Sequence, residues 1–186
     1  DYLIKQGIKV DAIITDPPYA VTSYSWDQII PFDQMWDKLS KLIKDDGAIV
    51  LFGNEPFSSS LRMSNPKFYR YDWKWIKTQV TGFQNAKYQP LRCYEDIMIF
   101  SKCGAVASAK PPMRYFPQGI IPVNLKVTTK PINYLGDKKS DEKVSYTQEE
   151  ANFPRNVIQF ARETDLYHPT QKPIVLMEYI VSTYSK

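Results

Sequence analysis

The first 61 residues alternate between short apolar runs and amphipathic segments, and this order constrains the fold more than any other feature of the chain. Residues 11–15 form an apolar run that reaches a Pro-Pro pair, which is typical of a buried strand followed by a turn. Residues 33–44 carry apolar side chains at helical spacing, and Gly47 lies where a left-handed residue would close that helix. Residues 48–52 are a second apolar run, and a helix through Leu61 follows. The order strand, helix, strand, helix predicts an α/β domain with a mostly parallel sheet flanked by helices.

The remainder of the chain contains further strand and helix patterns around a long irregular segment. Residues 69–76 alternate aromatic and other side chains, which predicts a strand whose aromatic face is buried against helices. Residues 95–102 and 156–160 are further strand candidates, and residues 173–184 predict a closing helix. Between residues 104 and 152 the periodicity disappears and prolines recur, so this segment is an insert that is either functional or disordered.

Composition places the chain among globular proteins and argues against metal chemistry. With 186 residues and 43% hydrophobic content, it is long enough for one domain with a substantial core. It has no stretch of eighteen apolar residues, and we expect a soluble, cytoplasmic protein that does not enter a membrane. Only Cys93, Cys103 and one histidine are available, too few for a disulfide framework or a zinc site.

One stretch of the chain is strongly basic. Residues 62–92 carry seven basic side chains and only one acidic one, Asp72, whereas residues 1–61 have an excess of acids. A local basic stretch is what a nucleic-acid backbone attracts, but a solvated face of an ordinary protein has the same composition. Charge alone therefore leaves both interpretations open.

Asp16, Pro17, Pro18 and Tyr19 follow the first predicted strand directly, and their residue types suit chemistry on a base amine. The exocyclic amine of adenine is a poor nucleophile because its lone pair is delocalised into the ring. The Asp16 carboxylate and the Pro17 carbonyl can accept hydrogen bonds from the two N–H groups and so localise that lone pair. The proline rings fix the direction of the carbonyl. Tyr19 offers a flat face on which an extruded base stacks. Alternatively, the four residues form only a β-turn.

Two motifs together carry a family resemblance. Asp16-Pro-Pro-Tyr19 resembles the catalytic motif of S-adenosylmethionine-dependent DNA amino-methyltransferases, and His168-Pro-Thr-Gln-Lys-Pro173 resembles the second signature of their beta-type members. In those members the catalytic motif precedes the cofactor motif, as it does here. Intervening segments such as residues 71–75 and 81–87 are also similar to bacterial and phage DNA methylases. The resemblance covers nearly the whole chain outside the insert.

The resemblance implies a Rossmann-like methyltransferase fold with a target-recognition insert. Residues 1–103 would be the first part of the catalytic core, residues 104–152 the insert, and residues 153–186 the return to the core. The chain has seven glycines but no Gly-x-Gly, so it lacks the glycine-rich cofactor loop that such enzymes have after the closing helix. We therefore expect a truncated chain that is inactive by itself.

The resemblance also implies an activity and a set of site residues. The expected reaction moves a methyl group from S-adenosylmethionine to adenine N6 of a flipped-out base in double-stranded DNA, in a restriction–modification system or a phage. An aspartate rather than a serine at the head of the motif favours adenine. Cytosine-N4 methylation, RNA or protein amide methylation, and an inactive DNA-binding module remain alternatives. The expected catalytic residues are Asp16, Pro17, Pro18 and Tyr19, and the expected cofactor residues are His168, Thr170, Gln171 and Lys172.

The roles of the second motif and of the DNA contacts follow in part from residue chemistry. Prolines on either side hold residues 170–172 extended, so a hydroxyl, an amide and an ammonium can meet the carboxylate of the methyl donor. His168 is equally compatible with a structural hydrogen bond. Side chains that read or grip DNA are basic or carry amides, and the candidates are Lys77, Gln84, Asn85, Lys87 and Arg92, with Lys110, Arg114, Lys126 and Lys130 in the insert.

Overall fold

The computed structural model describes residues 1–20, 27–129, 143–163, 167–168 and 170–186. The elements in chain order are α1 (Tyr2–Lys5), β1 (Val10–Thr15), α2 (Phe32–Leu42), β2 (Ile43–Gly53), α3 (Phe57–Ser64), β3 (Tyr69–Thr81), β4 (Arg92–Phe100), β5 (Ile121–Thr129), β6 (Val144–Ala151), β7 (Val157–Phe160) and α4 (Ile174–Tyr184). They form two compact units: Asp1–Phe116 with Arg155–Lys186, and Pro117–Pro154.

The first unit is built on a five-stranded mixed sheet with the strand order β1-β2-β4-β3-β7. β1 pairs with β2 and β3 pairs with β7 in parallel, whereas β4 is antiparallel to both of its neighbours. The expected mostly parallel sheet is therefore not confirmed. Residues 82–91, which join β3 to β4, hold only a short 3₁₀ turn and no crossover helix, and a connection of that kind makes neighbouring strands antiparallel.

Helices cover both faces of this sheet, because the strands bury alternate side chains on opposite faces. On one face Val50, Phe52 and Ile99 pack with Leu176 and Ile180 of α4. On the other face Ile49, Leu51, Met98 and Phe100 pack with side chains of α2 and α3, among them Trp36 and Leu61. Burying a large apolar side chain stabilises a fold by about 1.5–3 kcal/mol, so these two layers hold the sheet between its helices.

The amphipathic segment before β2 forms the expected helix, but the predicted role of Gly47 is wrong. α2 ends at Leu42, Ile43 is already extended, and Gly47 lies inside β2. A Cβ atom on Gly47 would lie 2.6 Å from the carbonyl oxygen of Asp11. The glycine therefore permits the close approach of β1 and β2.

Trp73 and Trp75 of the aromatic strand are buried as expected, Tyr71 is partly buried on the same face, and Tyr69 is partly buried on the other face. Trp73 is 5% exposed, and its indole N–H donates to the Tyr184 hydroxyl of α4 at 2.8 Å. The hydroxyls of Tyr71 and Tyr184 are 3.0 Å apart. The strand register shifts between Tyr69 and Tyr71, and Tyr69 packs with Phe100 in the layer on the α2 and α3 face.

The second unit is an antiparallel pair of strands, β5 and β6, in a segment whose structure the sequence pattern leaves open. Most of their side chains are exposed. Asn152 has a positive φ of 61°, and its amide donates to the carbonyl of Gly119 at 2.7 Å. The pairing is thus made mainly by backbone hydrogen bonds and by a few polar contacts such as Thr128 with Ser145.

Two absences apply to the part of the chain that the structure describes. None of its helices is long and apolar enough to cross a membrane. Within the same residues, no group of three or more His, Cys, Asp or Glu side chains is arranged to hold a metal ion.

Candidate active site

The Asp16–Tyr19 segment leaves the carboxyl end of β1 as a loop held by Asp27. Pro17 is buried, and Asp27, which is 6% exposed, accepts hydrogen bonds from the backbone N–H groups of Tyr19 and Ala20 at 2.9 Å each. Ala20 has a positive φ of 56°, a conformation that non-glycine residues rarely adopt. Two hydrogen bonds to one carboxylate stabilise this bend, so the loop has a defined shape rather than that of a generic turn.

Tyr19 contacts both the apolar layer and the Asp16 carboxylate. The centre of its ring lies 5.0 Å from the centre of the Phe57 ring at the start of α3, and its hydroxyl donates a hydrogen bond to Asp16 Oδ1. Burial, together with the nearby Asp16 carboxylate, raises the pKa of the Tyr19 hydroxyl far above its ordinary value. The hydroxyl is therefore a permanent hydrogen-bond donor, and it helps to orient Asp16.

The second motif reaches the first through Lys172. The Lys172 ammonium lies 2.7 Å from Asp16 Oδ2 and 3.0 Å from Glu95 Oε2, and it stands 5.1 Å from the centre of the Phe52 ring. Only 13% of this side chain is exposed. Residues more than 150 positions apart in sequence thus meet at one point, since α4, which follows Lys172, packs near β1, which precedes Asp16.

The other three residues of the second motif differ in their placement. Thr170 and Gln171 line the same cavity as Lys172, whereas His168 does not. The Nδ1 atom of His168 lies 3.0 Å from the Thr170 hydroxyl, and the Gln171 amide oxygen accepts the N–H of Tyr167 at 3.1 Å. His168 therefore bonds a lining residue rather than lining the cavity itself.

A cavity of about 510 Å³ unites these residues. A volume of this size suits a small-molecule or nucleobase site. Its walls come from the loop after β1, from β3 and β4 and from the segment before α4, and the lining residues are Asp16, Pro17, Pro18, Tyr19, Asp27, Asn54, Trp75, Lys77, Gln79, Val80, Thr81, Glu95, Arg162, Thr170, Gln171 and Lys172. All four predicted catalytic residues and three of the four predicted cofactor residues lie in it.

Glu95 is the main cavity residue that sequence reasoning missed. It is 8% exposed and contacts the ammonium groups of Lys77 and Lys172. Burial raises the pKa of Glu95, but the two ammonium groups outweigh burial and hold that pKa below its ordinary value, so the group is a carboxylate. Its position at the start of an apolar strand run, directly before Asp96, was the available signal.

Asp27 and Trp75 were missed as site residues for different reasons. Asp27 gave no sequence signal, because its role depends on the hydrogen bonds that it accepts from the backbone of Tyr19 and Ala20. Trp75 was assigned to the buried aromatic face, and it is 3% exposed with its N–H bonded to the carbonyl of Phe160. Its ring nevertheless forms part of the cavity wall.

The predicted DNA-binding residues fall into two places. Lys77 lies in the cavity, paired with Glu95 and 19% exposed. Gln84, Asn85, Lys87 and Arg92 are exposed in or beside the turn that joins β3 to β4. That turn begins directly after Thr81, which itself lines the cavity.

Much of the basic stretch is engaged within the protein. Arg62 and Lys74 pair with nearby carboxylates, and Arg70 donates to the carbonyls of Ser101 and Cys103 at 2.7 Å each. Of the basic residues proposed in the insert, Arg114 pairs with Asp11 and Asp46, Lys110 and Lys126 are exposed, and Lys130 lies outside the described residues. The charge of the stretch therefore overstates the positive surface offered to a nucleic acid.

Taken together, the cavity can hold a planar ring against Tyr19 and present hydrogen-bond acceptors to it. The cavity lies beside the end of β1 in a mixed sheet that carries helices on both faces. The profile of the N6/N4 DNA methylase family, described as DNA methylase, matches residues 10–186. This chain belongs to that DNA methylase family.

Solved structures agree with this assignment at the level of the fold. A crystal structure of an M1.HpyAVI–SAM complex is 21% identical, with a TM-score of 0.55, and the match covers 100% of this chain and 73% of that chain. A crystal structure of M1.HpyAVI is 16% identical, again with a TM-score of 0.55, and the match covers 100% of this chain and 68% of that chain. Comparison with curated protein sequences finds no match.

Proposed function

We propose that this protein is a DNA methyltransferase that transfers the methyl group of S-adenosylmethionine to adenine N6 of a flipped-out base, within a Rossmann-like domain. The observation that carries the proposal is the meeting of Asp16 and Lys172 at 2.7 Å in one cavity. The two motifs that resemble the amino-methyltransferases are thus parts of one site. Membership of the DNA methylase family supports the reaction class.

In the proposed mechanism, Asp16 and Pro17 act on the target amine. The Asp16 carboxylate and the Pro17 carbonyl accept hydrogen bonds from the two N–H groups of the amine. These hydrogen bonds localise the nitrogen lone pair for formation of the new N–C bond. The nitrogen becomes acidic as that bond forms, and its surplus proton leaves toward Asp16. Tyr19 stacks on the base, an interaction worth roughly 1–3 kcal/mol, which offsets part of the cost of unstacking it from the duplex.

The charges of the cavity fit the proposed cofactor. S-adenosylmethionine would supply, when bound, a methyl group on a positively charged sulfur; as the N–C bond forms, the S–C bond to that methyl group would break and leave a neutral thioether. The cavity lining includes the carboxylates Asp16, Asp27 and Glu95, and one oxygen of Glu95 is buried without a hydrogen bond of good geometry. Thr170, Gln171 and Lys172 would hold the methionine end of the cofactor, with His168 orienting the Thr170 hydroxyl.

We propose the turn between β3 and β4 as a DNA contact, since it follows the cavity wall and exposes basic and amide side chains. Replacing Lys87 or Arg92 with Ala should weaken DNA binding uniformly across sequences and reduce the slope of log affinity against log salt by about 1. Fluorescence anisotropy over a salt series measures both quantities. An unchanged slope in both variants would exclude the turn from the DNA interface.

Adenine rather than cytosine is proposed because aspartate heads the catalytic motif. The deciding experiment expresses the full-length protein in a host that lacks DNA methylation and analyses the nucleosides of host DNA by mass spectrometry. N6-methyladenine supports the proposal. N4-methylcytosine would keep the mechanism and change the base, whereas neither product from a folded protein would favour a DNA-binding module without activity. The resemblance to bacterial and phage enzymes points to a restriction–modification or phage setting.

A further inference from the structure

Glu95 is a buried carboxylate in the cavity wall whose charge suits the proposed cofactor, but no proton-transfer or methyl-transfer step of the proposed mechanism uses it. It lies opposite Trp75 in the pairing of β3 with β4. One of its oxygens contacts Lys77, and the other lies 3.0 Å from Lys172 without the alignment of a directed hydrogen bond. A buried carboxylate is costly unless it is paired, so its placement requires an explanation.

Lys172 links Glu95 to the catalytic aspartate. Its ammonium touches Asp16 Oδ2 at 2.7 Å as well as Glu95, and Asp16 Oδ1 receives the hydrogen bond of Tyr19. Both oxygens of Asp16 are therefore held before any substrate binds. Asp16 Oδ2 pairs with the Lys172 ammonium, and that ammonium pairs with the Glu95 carboxylate as well.

We propose that Glu95 is a positioning residue: by sharing the Lys172 ammonium, it leaves Asp16 oriented and available to accept the N–H of the target amine. This inference rests on the proposed function and goes beyond the motifs that carry it. Without the charge of Glu95, Lys172 would be bound by Asp16 alone and would compete with the substrate amine for Oδ2. A charged hydrogen bond is stronger than one from a neutral amine, so that competition would slow methyl transfer.

Asp96 is a matched control on the same strand. It is 1% exposed, lies next to Glu95 in sequence and also holds two basic side chains, Arg62 at 3.0 Å and Lys74. Its side chain points to the opposite face of β4 and does not line the cavity. An Asp96→Asn variant therefore reports what the loss of a buried, paired carboxylate from β4 does to the fold alone.

The experiment measures kcat and KM of the full-length protein with S-adenosylmethionine and unmethylated genomic DNA. The variants are Glu95→Gln, Lys172→Met, both together, and Asp96→Asn. We expect Glu95→Gln to lower kcat by up to roughly 100-fold, the cost of a misplacement of about 1 Å, with KM for DNA changed less than about twofold. Glu95→Asp should restore part of kcat, and the double variant should be no slower than the slower single variant.

Each result decides the inference. Asp96→Asn should lower the melting temperature but keep kcat. An equal kcat loss in Asp96→Asn and Glu95→Gln would overturn the inference. Additive losses in the Glu95→Gln/Lys172→Met double variant would also overturn it. If Glu95→Gln does not fold, the charge-balanced Glu95→Gln/Lys77→Gln variant replaces it and should show the same kcat loss. Normal kcat in that variant would equally overturn the role. Absence of methyl transfer by the wild-type protein would instead refute the proposed function, and the inference with it.

Discussion

Glu95 and Asp96 are neighbouring buried carboxylates whose surroundings differ. On the α3 side of the sheet, Asp96 shares Arg62 and Lys74 with Asp72, and Arg62 also reaches Glu55 at 2.9 Å. On the cavity side, Glu95 shares Lys172 with Asp16, whose side chain is 28% exposed. The Asp96 cluster lies between α3 and the sheet, where Glu55 is 48% and Lys74 is 34% exposed, and the Glu95 cluster lines a cavity of about 510 Å³.

The difference between the two clusters distinguishes a carboxylate that stabilises the fold from one that belongs to the candidate site. Within the described residues, Asp96 is not among the buried polar groups without a hydrogen bond, whereas Glu95 Oε2 is one of them. An ion-pair network that satisfies its charged groups within the fold is structural, whereas carboxylates that line a cavity can also act on a molecule that binds there. The same residue types thus hold α3 on the sheet on one face and form the site on the other.

Loss of the Asp16 charge should have the largest effect on methyl transfer. Asp16→Asn keeps the size of the side chain but removes the charge and one acceptor oxygen, so the transfer rate should fall at least roughly 100-fold. DNA affinity should stay within about twofold, because the variant leaves the basic turn intact. Single-turnover rates and anisotropy measure the two quantities. An equal loss of DNA affinity would assign Asp16 to binding rather than to the reaction.

Substitution of Tyr19 should have the second-largest effect on methyl transfer, and the effect should depend on whether an aromatic ring remains. Tyr19→Ala removes both the stacking face and the contact with Phe57, at about 1–3 kcal/mol, so transfer should fall roughly 10- to 100-fold. Tyr19→Phe keeps the ring but loses the hydrogen bond to Asp16, and it should retain much of the activity, as should Tyr19→Trp. Fluorescence of DNA containing 2-aminopurine reports base extrusion. Full activity in Tyr19→Ala would remove stacking from the mechanism.

Asp27 should have a smaller effect that acts through the loop. Asp27→Ala removes both hydrogen bonds to Tyr19 and Ala20, and we expect transfer to fall roughly tenfold as the loop loses its defined shape. Asp27→Asn retains an acceptor oxygen and should recover part of this loss. Hydrogen exchange of the two amides, measured by NMR, checks the cause. Unchanged protection in Asp27→Ala would show that other contacts hold the loop.

Arg62 should affect stability and its pH dependence but not methyl transfer. Burial raises the pKa values of Glu55 and Asp72, yet hydrogen bonds and nearby cations, including Arg62, hold both below their ordinary values. Carboxyl groups with lowered pKa values stabilise the fold above the unfolded pKa, and this contribution is lost as the pH falls through the folded pKa. Arg62→Met should therefore cost about 1–2 kcal/mol at pH 7 and progressively less below about pH 4.

Melting curves of wild-type protein and Arg62→Met between pH 7 and pH 3 measure that difference. A stability difference that stays constant over the range would show that Arg62 acts through packing rather than through charge. A fall in kcat for Arg62→Met would break the separation of the two faces of β4.

Local patterns predicted much of the fold, because they depend on residues close in sequence. The period of two predicted β3, and the helical spacing predicted α2 and α4. The direction of β4 could not be read in the same way. The direction of a strand depends on which strands it pairs with, and the apolar run of β4 is compatible with either direction.

The candidate site was predictable where chemistry is written into a motif. Asp16, Tyr19 and Lys172 were found because their motifs are short and specific, and the structure brings them together. Glu95 and Asp27 were not found, since their roles arise from contacts that the sequence pattern does not show: an ion pair with distant Lys172 for Glu95, and a hydrogen bond from the backbone of Tyr19 for Asp27. Their charges alone do not distinguish them from surface acids.

The most direct test supplies purified full-length protein with isotopically methyl-labelled S-adenosylmethionine and an equal mixture of unmethylated DNA and RNA, and then identifies the labelled nucleosides. The account predicts label in N6-methyladenine from DNA, and none when Asp16→Asn replaces the wild-type protein. Label in RNA alone, or undiminished labelling of DNA by Asp16→Asn, would contradict it.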